Sequence, residues 1–277
     1  MSQLTKAIRR IHSRYQSVRE LESVSDEALD MLPAYRCGSE YAARWDAADE
    51  TAPDRAPPPQ PSNPLWEYFM RHEEGPGVWK WEHYFPIYQQ FFERFVGQKV
   101  DVLEIGIFSG GSLDMWPAYF GDGCRVYGVD IEPVCHAYEK DNVKIYIGDQ
   151  ADRSFWHEFK REVSGVDVVI DDGGHTPEQQ TVTLEEMLPH LRPGGIYLCE
   201  DVLGIHNRFA AFVAGLVGRL NAHAISHDGV MTSAVTPFQQ AVYAIHFYPF
   251  VVVIERQWTP PAELRSPRRG TQWQPFL

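Results

Sequence analysis

The chain has 277 residues, a formal net charge of -13, and 44% hydrophobic and 13% aromatic side chains. That is enough apolar surface for a full core and one sizeable α/β domain with appendages. The acidic balance argues against a nucleic-acid partner, because a phosphate backbone asks for a basic face and the 25 Lys and Arg are scattered except near Arg265, Arg268 and Arg269. No stretch approaches the ~20 apolar residues of a membrane span, and the first residues lack a signal-peptide core. Four cysteines, Cys37, Cys124, Cys135 and Cys199, show no CxxC spacing, so a reducing, cytoplasmic setting is expected, with thiols filling core positions.

In chain order, Leu4, Ile8, Ile11, Tyr15, Val18 and Leu21 recur every three or four positions, which predicts an amphipathic helix up to Val24. A short capped helix is expected over Ser25 to Leu32. Six prolines between Thr51 and Pro64 predict an extended linker, since proline suits neither helix interiors nor central strands. Residues 1–62 therefore read as a helical arm plus linker, 63–257 as the main domain and 258–277 as a tail that wraps the surface or a neighbouring copy, with a homo-oligomer expected.

The segment from Asn63 to Phe95 is densely aromatic. Tyr84, Tyr88, Phe91, Phe92 and Phe95 sit at helical spacing, and most of these rings are expected to pack a helix on a sheet. Gly75-Pro76-Gly77 forces a loop just before Trp79. A glycine hinge beside Trp79, Lys80, His83 and Tyr84 suits a segment that closes over a substrate.

A regular alternation follows: strands at Val100 to Ile105, Arg125 to Asp130, Val143 to Ile147, Val166 to Ile170 and Ile196 to Glu200. Helices come between them at Ser112 to Phe120, Asp152 to Val163 and Thr176 to His190, with Arg192 to Gly195 as a turn. This predicts a doubly wound parallel sheet with ligands at the C-terminal strand ends. After a helix over Asn207 to Leu220, Ala241 to Tyr248 and Phe250 to Glu255 abut around Pro249. With no room for a crossover they must pair antiparallel, which makes a mostly parallel seven-stranded sheet finished by an antiparallel hairpin.

Three groups at those strand ends carry chemistry. Glycines from Gly106 to Gly111 join the first strand to its helix, Ser112 is the expected helix cap, and Asp130 ends the next strand where it can take ribose hydroxyls. Glu104 faces the same place, and a carboxylate there favours an α-ammonium group over a pyrophosphate. The turn thus suits S-adenosylmethionine better than a dinucleotide. Asp149 and Gln150, ending the third strand, can meet the adenine edge or simply start the following helix. The last group is Asp172 with Glu200 and Asp201: three carboxylates on neighbouring strand ends call for a cation, and oxygen ligands suit Mg2+, or Mn2+ or Ca2+. His175 follows two glycines and reads as the general base, and Asp171 faces the cofactor side or the turn. A loop histidine and a solvated strand end are the plainer alternatives.

Leu103-Glu-Ile-Gly with Gly110-Gly-Ser-Leu, Gly148-Asp-Gln, Ile170-Asp-Asp-Gly-Gly-His175, Leu191-Arg-Pro-Gly-Gly and Cys199-Glu-Asp201 resemble class I S-adenosylmethionine-dependent methyltransferases. More narrowly they resemble the metal-dependent sugar O-methyltransferases of antibiotic biosynthesis, the mycinamicin and macrocin type. The resemblance covers roughly His83 to Val202. It implies a Rossmann-like methyltransferase fold, Mg2+ on Asp172, Glu200 and Asp201, His175 as base, and cofactor contacts at Glu104, Gly106 and Asp130. It also implies a small, glycosylated acceptor. Two other readings remain: a metal-dependent hydroxylase or oxidoreductase on the same fold with His175 as ligand, and a non-catalytic subunit that binds the nucleoside for stability.

Overall fold

The computed structural model describes residues 26–46, 62–222, 231–267 and 269–270, and it divides into two units, 1–60 and 61–277. The helix expected over Leu4 to Val24 and most of the proline linker lie outside the described residues. In the first unit, α1 (Asp26–Asp46) runs well past Leu32 and carries Pro33 inside it. The short helix expected there is thus too short. Beyond the proline the chain is rich in helix formers, and Arg36 reaches Glu40 at 2.7 Å across one turn, the spacing that supports a helix surface.

The second unit begins with α2 (Pro64–Arg71) and α3 (Tyr84–Phe92). Asn63 accepts from the amides of Leu65 and Trp66, and its own amide donates to the Phe85 carbonyl, so one side chain caps α2 and ties it to α3. Then come β1 (Val100–Ile105), α4 (Ser112–Phe120), β2 (Cys124–Asp130), β3 (Val143–Ile147), α5 (Arg153–Glu162), β4 (Val166–Asp171), α6 (Pro177–Met187), β5 (Leu191–Cys199) and α7 (Arg208–Leu220). The chain continues through β6 (Met231–Ala234), α8 (Pro237–Ala241), β7 (Val242–Tyr248), β8 (Val251–Arg256) and β9 (Glu263–Ser266).

Seven strands form one sheet in the order β3-β2-β1-β4-β5-β8-β7. The first five are parallel, and β8 pairs antiparallel with both β5 and β7. Two details differ from the sequence expectation. Arg192 to Gly195 lies within β5 instead of before it, with an irregular register between Val166 and Val168. A second sheet pairs β6 with β9, so part of the expected surface tail is a short strand.

Each strand face has its own core. One packs β1, β4 and β5 residues Val102, Ile170 and Leu198 against Leu65, Tyr88, Phe92, Trp116 and Phe120 of α2, α3 and α4. The other packs Leu103, Val169 and Tyr197 against Trp156, Phe159, Met187 and Phe209 of α5, α6 and α7. Strands buried on both faces explain why the sequence shows near-continuous apolar runs. The buried carboxylates Asp101, Glu104, Asp171 and Glu200 lie at or near strand ends. At the N-terminal rim Asp101 takes Arg125 in two bonds of 2.7 and 2.8 Å, and Arg192 bridges Asp101 and Asp167 at 2.7 and 2.6 Å. That rim neutralises itself; the opposite rim holds the acids.

Candidate active site

The strand order reverses between β1 and β4, and connections from this point leave on opposite faces, which opens a crevice at the C-terminal ends. There a cavity of about 950 Å³ is lined by Gly106, Phe108, Ser112, Asp130, Asp149 and Gln150 at one end, and by Lys80, Asp172, His175, Glu200 and Asp201 at the other. Gly106 has φ +88, and a Cβ there would lie 2.0 Å from the Asp172 carbonyl oxygen. Only glycine lets the β1 turn pass this close to the end of β4.

Side-chain alternation decides which acids meet. Glu104, Asp172 and Glu200 continue the series Val102, Ile170 and Leu198, so they emerge on the α3 face. Asp171 continues Val169 on the other face. It is buried, accepts from Gln150 Nε2 and Tyr197 Oη at 2.9 Å each, and does not reach the cavity wall. Burial pushes its carboxyl up to about 6. Of the two expectations for Asp171, the cofactor side or the turn, its contacts match the second: it accepts from the Gly173 backbone as well, and its parity on β4 puts it behind the cavity wall.

Gln150 is committed to the fold as well. Its amide nitrogen serves Asp171 and Thr183 at 2.9 and 3.0 Å, and its oxygen accepts from the Gly174 amide at 2.7 Å. Gln150 thereby pins the β4 loop, and both ends of its side chain are taken. Asp149 caps the next turn through the Ala151 amide at 2.8 Å and still borders the cavity. Asp130 accepts from the amides of Ile107, Phe108 and Glu132 at 2.8, 3.1 and 2.9 Å. It organises the β1 turn from the end of β2 and lines the cavity.

Ser112 is the first residue of α4, not its cap; Gly111 holds that position without a side-chain bond. The Ser112 hydroxyl instead donates to Glu104 Oε2 at 2.8 Å. Glu104 is fully buried beneath it, and Oε1 has no hydrogen-bond partner. Burial raises the Glu104 pKa against the pull of Lys80. Glu104 is not among the residues that border the cavity, and its Oε1 has Lys80 Nζ at 3.9 Å as its charged neighbour.

The acidic end contains a residue whose placement the sequence left open. Lys80 Nζ lies 2.6 Å from Asp172 Oδ2, 3.1 and 3.0 Å from the two Glu200 oxygens and 3.9 Å from Glu104 Oε1, with only 3% of its side chain exposed. Burial alone would lower its pKa, but Asp172, Glu200 and Glu104 together outweigh that and raise it, so Lys80 is a permanent cation. Glu200 accepts from Tyr88 Oη at 2.6 Å; burial and the neighbouring Asp172 raise its pKa against the pull of Lys80. Asp201 has φ +51 and takes Tyr84 Oη and Trp81 Nε1 at 2.7 and 2.9 Å on Oδ1. Its Oδ2 faces His175 Nε2 at 3.6 Å, and Asp172 Oδ1 is 3.9 Å from the same nitrogen.

The three ligand atoms that already lie within 4.8 Å of one another thus come from Asp172, His175 and Asp201. Glu200, expected beside them, is held one step inward by Lys80 and Tyr88. His175 itself has φ +58, an unusual conformation for a side chain with a Cβ and one associated with functional positions.

Among the expected substrate residues, Trp79 and Tyr84 line the cavity, and Trp79 is 85% exposed. His83 does not: its Nε2 meets the Pro249 carbonyl at 3.0 Å and its ring packs on Phe250. Tyr88 was read only as core. One signal was available, because the helix is otherwise filled with Phe85, Phe91 and Phe92, and two hydroxyls four residues apart at Tyr84 and Tyr88 need polar partners when buried.

Residues 103–202 match the family described as a methyltransferase domain. Demethylmacrocin O-methyltransferase of Streptomyces fradiae is 39% identical over 132 residues, covering 45% of this chain and 33% of the relative. An 8-demethyl-8-alpha-L-rhamnosyl tetracenomycin-C 2'-O-methyltransferase of Streptomyces olivaceus is 29% identical over 205 residues, covering 68% and 53%. Among solved structures, the MycE methyltransferase of the mycinamycin biosynthetic pathway, in complex with Mg and SAH, aligns with a TM-score of 0.57. It is 24% identical, covering 70% of this chain and 54% of that one. The chain therefore spans about a third to a half of the length of these relatives, and the fold is the Rossmann-like methyltransferase fold.

Proposed function

We propose, for a chain that carries a methyltransferase domain over residues 103–202, that it transfers a methyl group from S-adenosylmethionine to a hydroxyl of a glycosylated small molecule with the help of a divalent cation. The observation that carries this reading is the single cavity of about 950 Å³ running from the glycine turn after β1 to the carboxylates after β4 and β5. A nucleoside and an acceptor can meet there end to end. The relatives named as sugar O-methyltransferases support the acceptor class, and MycE with Mg and SAH supports the pairing of cation and nucleoside.

The donor set fits both groups. At the nucleoside end Asp130 borders the cavity, and Glu104, which accepts from Ser112 at 2.8 Å, is the carboxylate for the α-ammonium. At the other end Asp172 and Asp201 each turn an oxygen toward His175, and Glu200 lies behind them as the third carboxylate. Oxygen donors of this number suit Mg2+ with retained waters. Such an ion supplies Lewis acidity that lowers the pKa of an acceptor hydroxyl. His175 then accepts the hydroxyl proton at Nε2. Asp172 Oδ1 and Asp201 Oδ2 lie 3.9 and 3.6 Å from that nitrogen. The acceptor oxygen would bond to the methyl carbon as the carbon–sulfur bond breaks and the neutral thioether leaves with the bonding pair, while Tyr84, Trp81 and Trp79 exclude water and orient the acceptor.

A screen of glycosylated natural products for chelator-sensitive methyl transfer tests the reading. His175→Ala should lower turnover by about 10²-fold or more, the usual contribution of a general base, and leave S-adenosylmethionine affinity measured by calorimetry nearly unchanged. Loss of cofactor binding in that variant, or indifference of the reaction to chelators, would overturn it. The proximity of His175 to both acids favours a second reading in which it is itself a ligand. Nitrogen coupling in the electron paramagnetic resonance spectrum of bound Mn2+ would identify that case.

A further inference from the structure

The segment between Gly75 and α3 enters the cavity wall as irregular chain, with Gly77 through Glu82 lining it in sequence. Its base is seated firmly: Gly111, at the start of α4, would place a Cβ 2.4 Å from the Pro76 carbonyl oxygen and 2.5 Å from that of Gly77. Beyond that base, the segment is fastened to the carboxylates. Lys80 engages Asp172 and Glu200, and Trp81 donates to Asp201. Val78 packs against the core and the Trp81 ring meets Phe250 at 5.6 Å between centroids, while Trp79 between them is 85% exposed. The polar attachment of this stretch to the carboxylates is made by Lys80 and Trp81.

An ion held by both Asp172 and Glu200 would need the space that Lys80 Nζ now fills. A divalent ion takes carboxylate oxygens at about 2.0–2.6 Å, and a point that close to both Asp172 Oδ2 and Glu200 lies nearly on top of an ammonium already 2.6 Å from the one and 3.0 Å from the other. Two cations cannot share that space. Without some cation, Glu104, Asp172 and Glu200 would face one another with their charge uncompensated in a buried site, which is costly.

We propose that Lys80 is a tethered stand-in cation: its ammonium and a divalent ion compete for Asp172 and Glu200, so that metal binding expels Lys80 and frees residues 78–82 from the carboxylates. The inference rests on the metal reading above. It makes Lys80 a positioning residue that holds Asp172 and Glu200 in place before metal arrives, and that sets metal affinity. Expulsion also uncovers Glu104 Oε1, now 3.9 Å from Nζ, for the ammonium of the cofactor, so the two ends of the cavity become coupled through one side chain.

Amine acylation of the intact protein followed by mass spectrometry tests this on the wild type. Lys80 should be protected without metal and should become at least about tenfold more reactive in saturating Mn2+, a change within the usual range of coupled binding. Lys140 and Lys144, which are exposed, should be labelled equally in both states. Calorimetry with Mn2+ alone should find Lys80→Met binding the ion about tenfold more tightly than the wild type, because no ammonium must leave. Lys80 remaining protected with Mn2+ bound, or equal or weaker binding by Lys80→Met, would overturn the proposal and leave the metal reading standing. Absence of Mn2+ binding in both proteins would remove the metal reading and this inference with it. If Lys80→Met does not fold, the labelling of the wild type decides alone.

Discussion

Glu200 concentrates the residue-scale energetics. It is a buried carboxylate with Asp172 beside it, and it stays in place because Lys80 and Tyr88 hold its oxygens. Tyr88 is itself fully buried, and burial first, then the charge of Glu200, raises its pKa, so it remains a donor. Tyr88→Phe should therefore cost about 1.5–3 kcal/mol, the worth of a hydrogen bond to a charged group. Chemical denaturation measures this directly. An unchanged midpoint would mean that Glu200 is protonated and needs no second donor. The need for such a donor was faintly visible in the sequence as tyrosine among phenylalanines, but its partner, 112 residues away, was not.

At the scale of elements, parity along the strands sorts the acids. Adjacent residues Asp171 and Asp172 have opposite fates because β4 alternates, and neighbouring Glu200 and Asp201 part company where β5 ends and Asp201 turns to positive φ. The pairing of β4 with β5 was legible as two sequential parallel strands, and Asp171 does face Cys199 across that ladder. The start of β5 was not legible: Pro193 and two glycines read as a turn, yet the segment enters the strand because Gly195 fits against the Asp167 carbonyl, where a Cβ would come within 2.8 Å. Just before it, His190 gives the carbonyl of Val163 a 2.8 Å hydrogen bond, and burial lowers its pKa below the usual 6.5. Below pH 6.5 the unfolded chain then binds this proton more readily than the folded one, so stability rises with pH through that window and is lost as pH falls through it. His190→Gln should flatten this part of the profile. Equal slopes of melting temperature against pH for wild type and variant would exclude the effect.

At the scale of the molecule, the buried hydrophobic residues among those described lie from Leu65 to Ile254. The described part of the first unit is one helix, and residues 33–45 of it are exposed. A fragment of residues 61–277 should accordingly melt cooperatively with far-UV dichroism in proportion to its length. Loss of the cooperative transition would show that the core is not self-sufficient. Among the described residues no helix is long and apolar enough to cross a membrane.

The doubly wound sheet, its antiparallel finish and the gathering of acids at one rim followed from the sequence alone. Periodicity and strand ends are local properties, and sequential parallel strands are usually neighbours, as β4 and β5 are here although β3 and β4 are not. Which of those acids meet, and what neutralises them, only the tertiary structure decided. Lys80 comes from a loop 92 residues before Asp172 and 120 before Glu200, and no local pattern announces so distant a pairing. Its arrival at the centre of the carboxylates is set by where α3 packs on the sheet, and that packing turns three acids that call for a cation into a site already holding one.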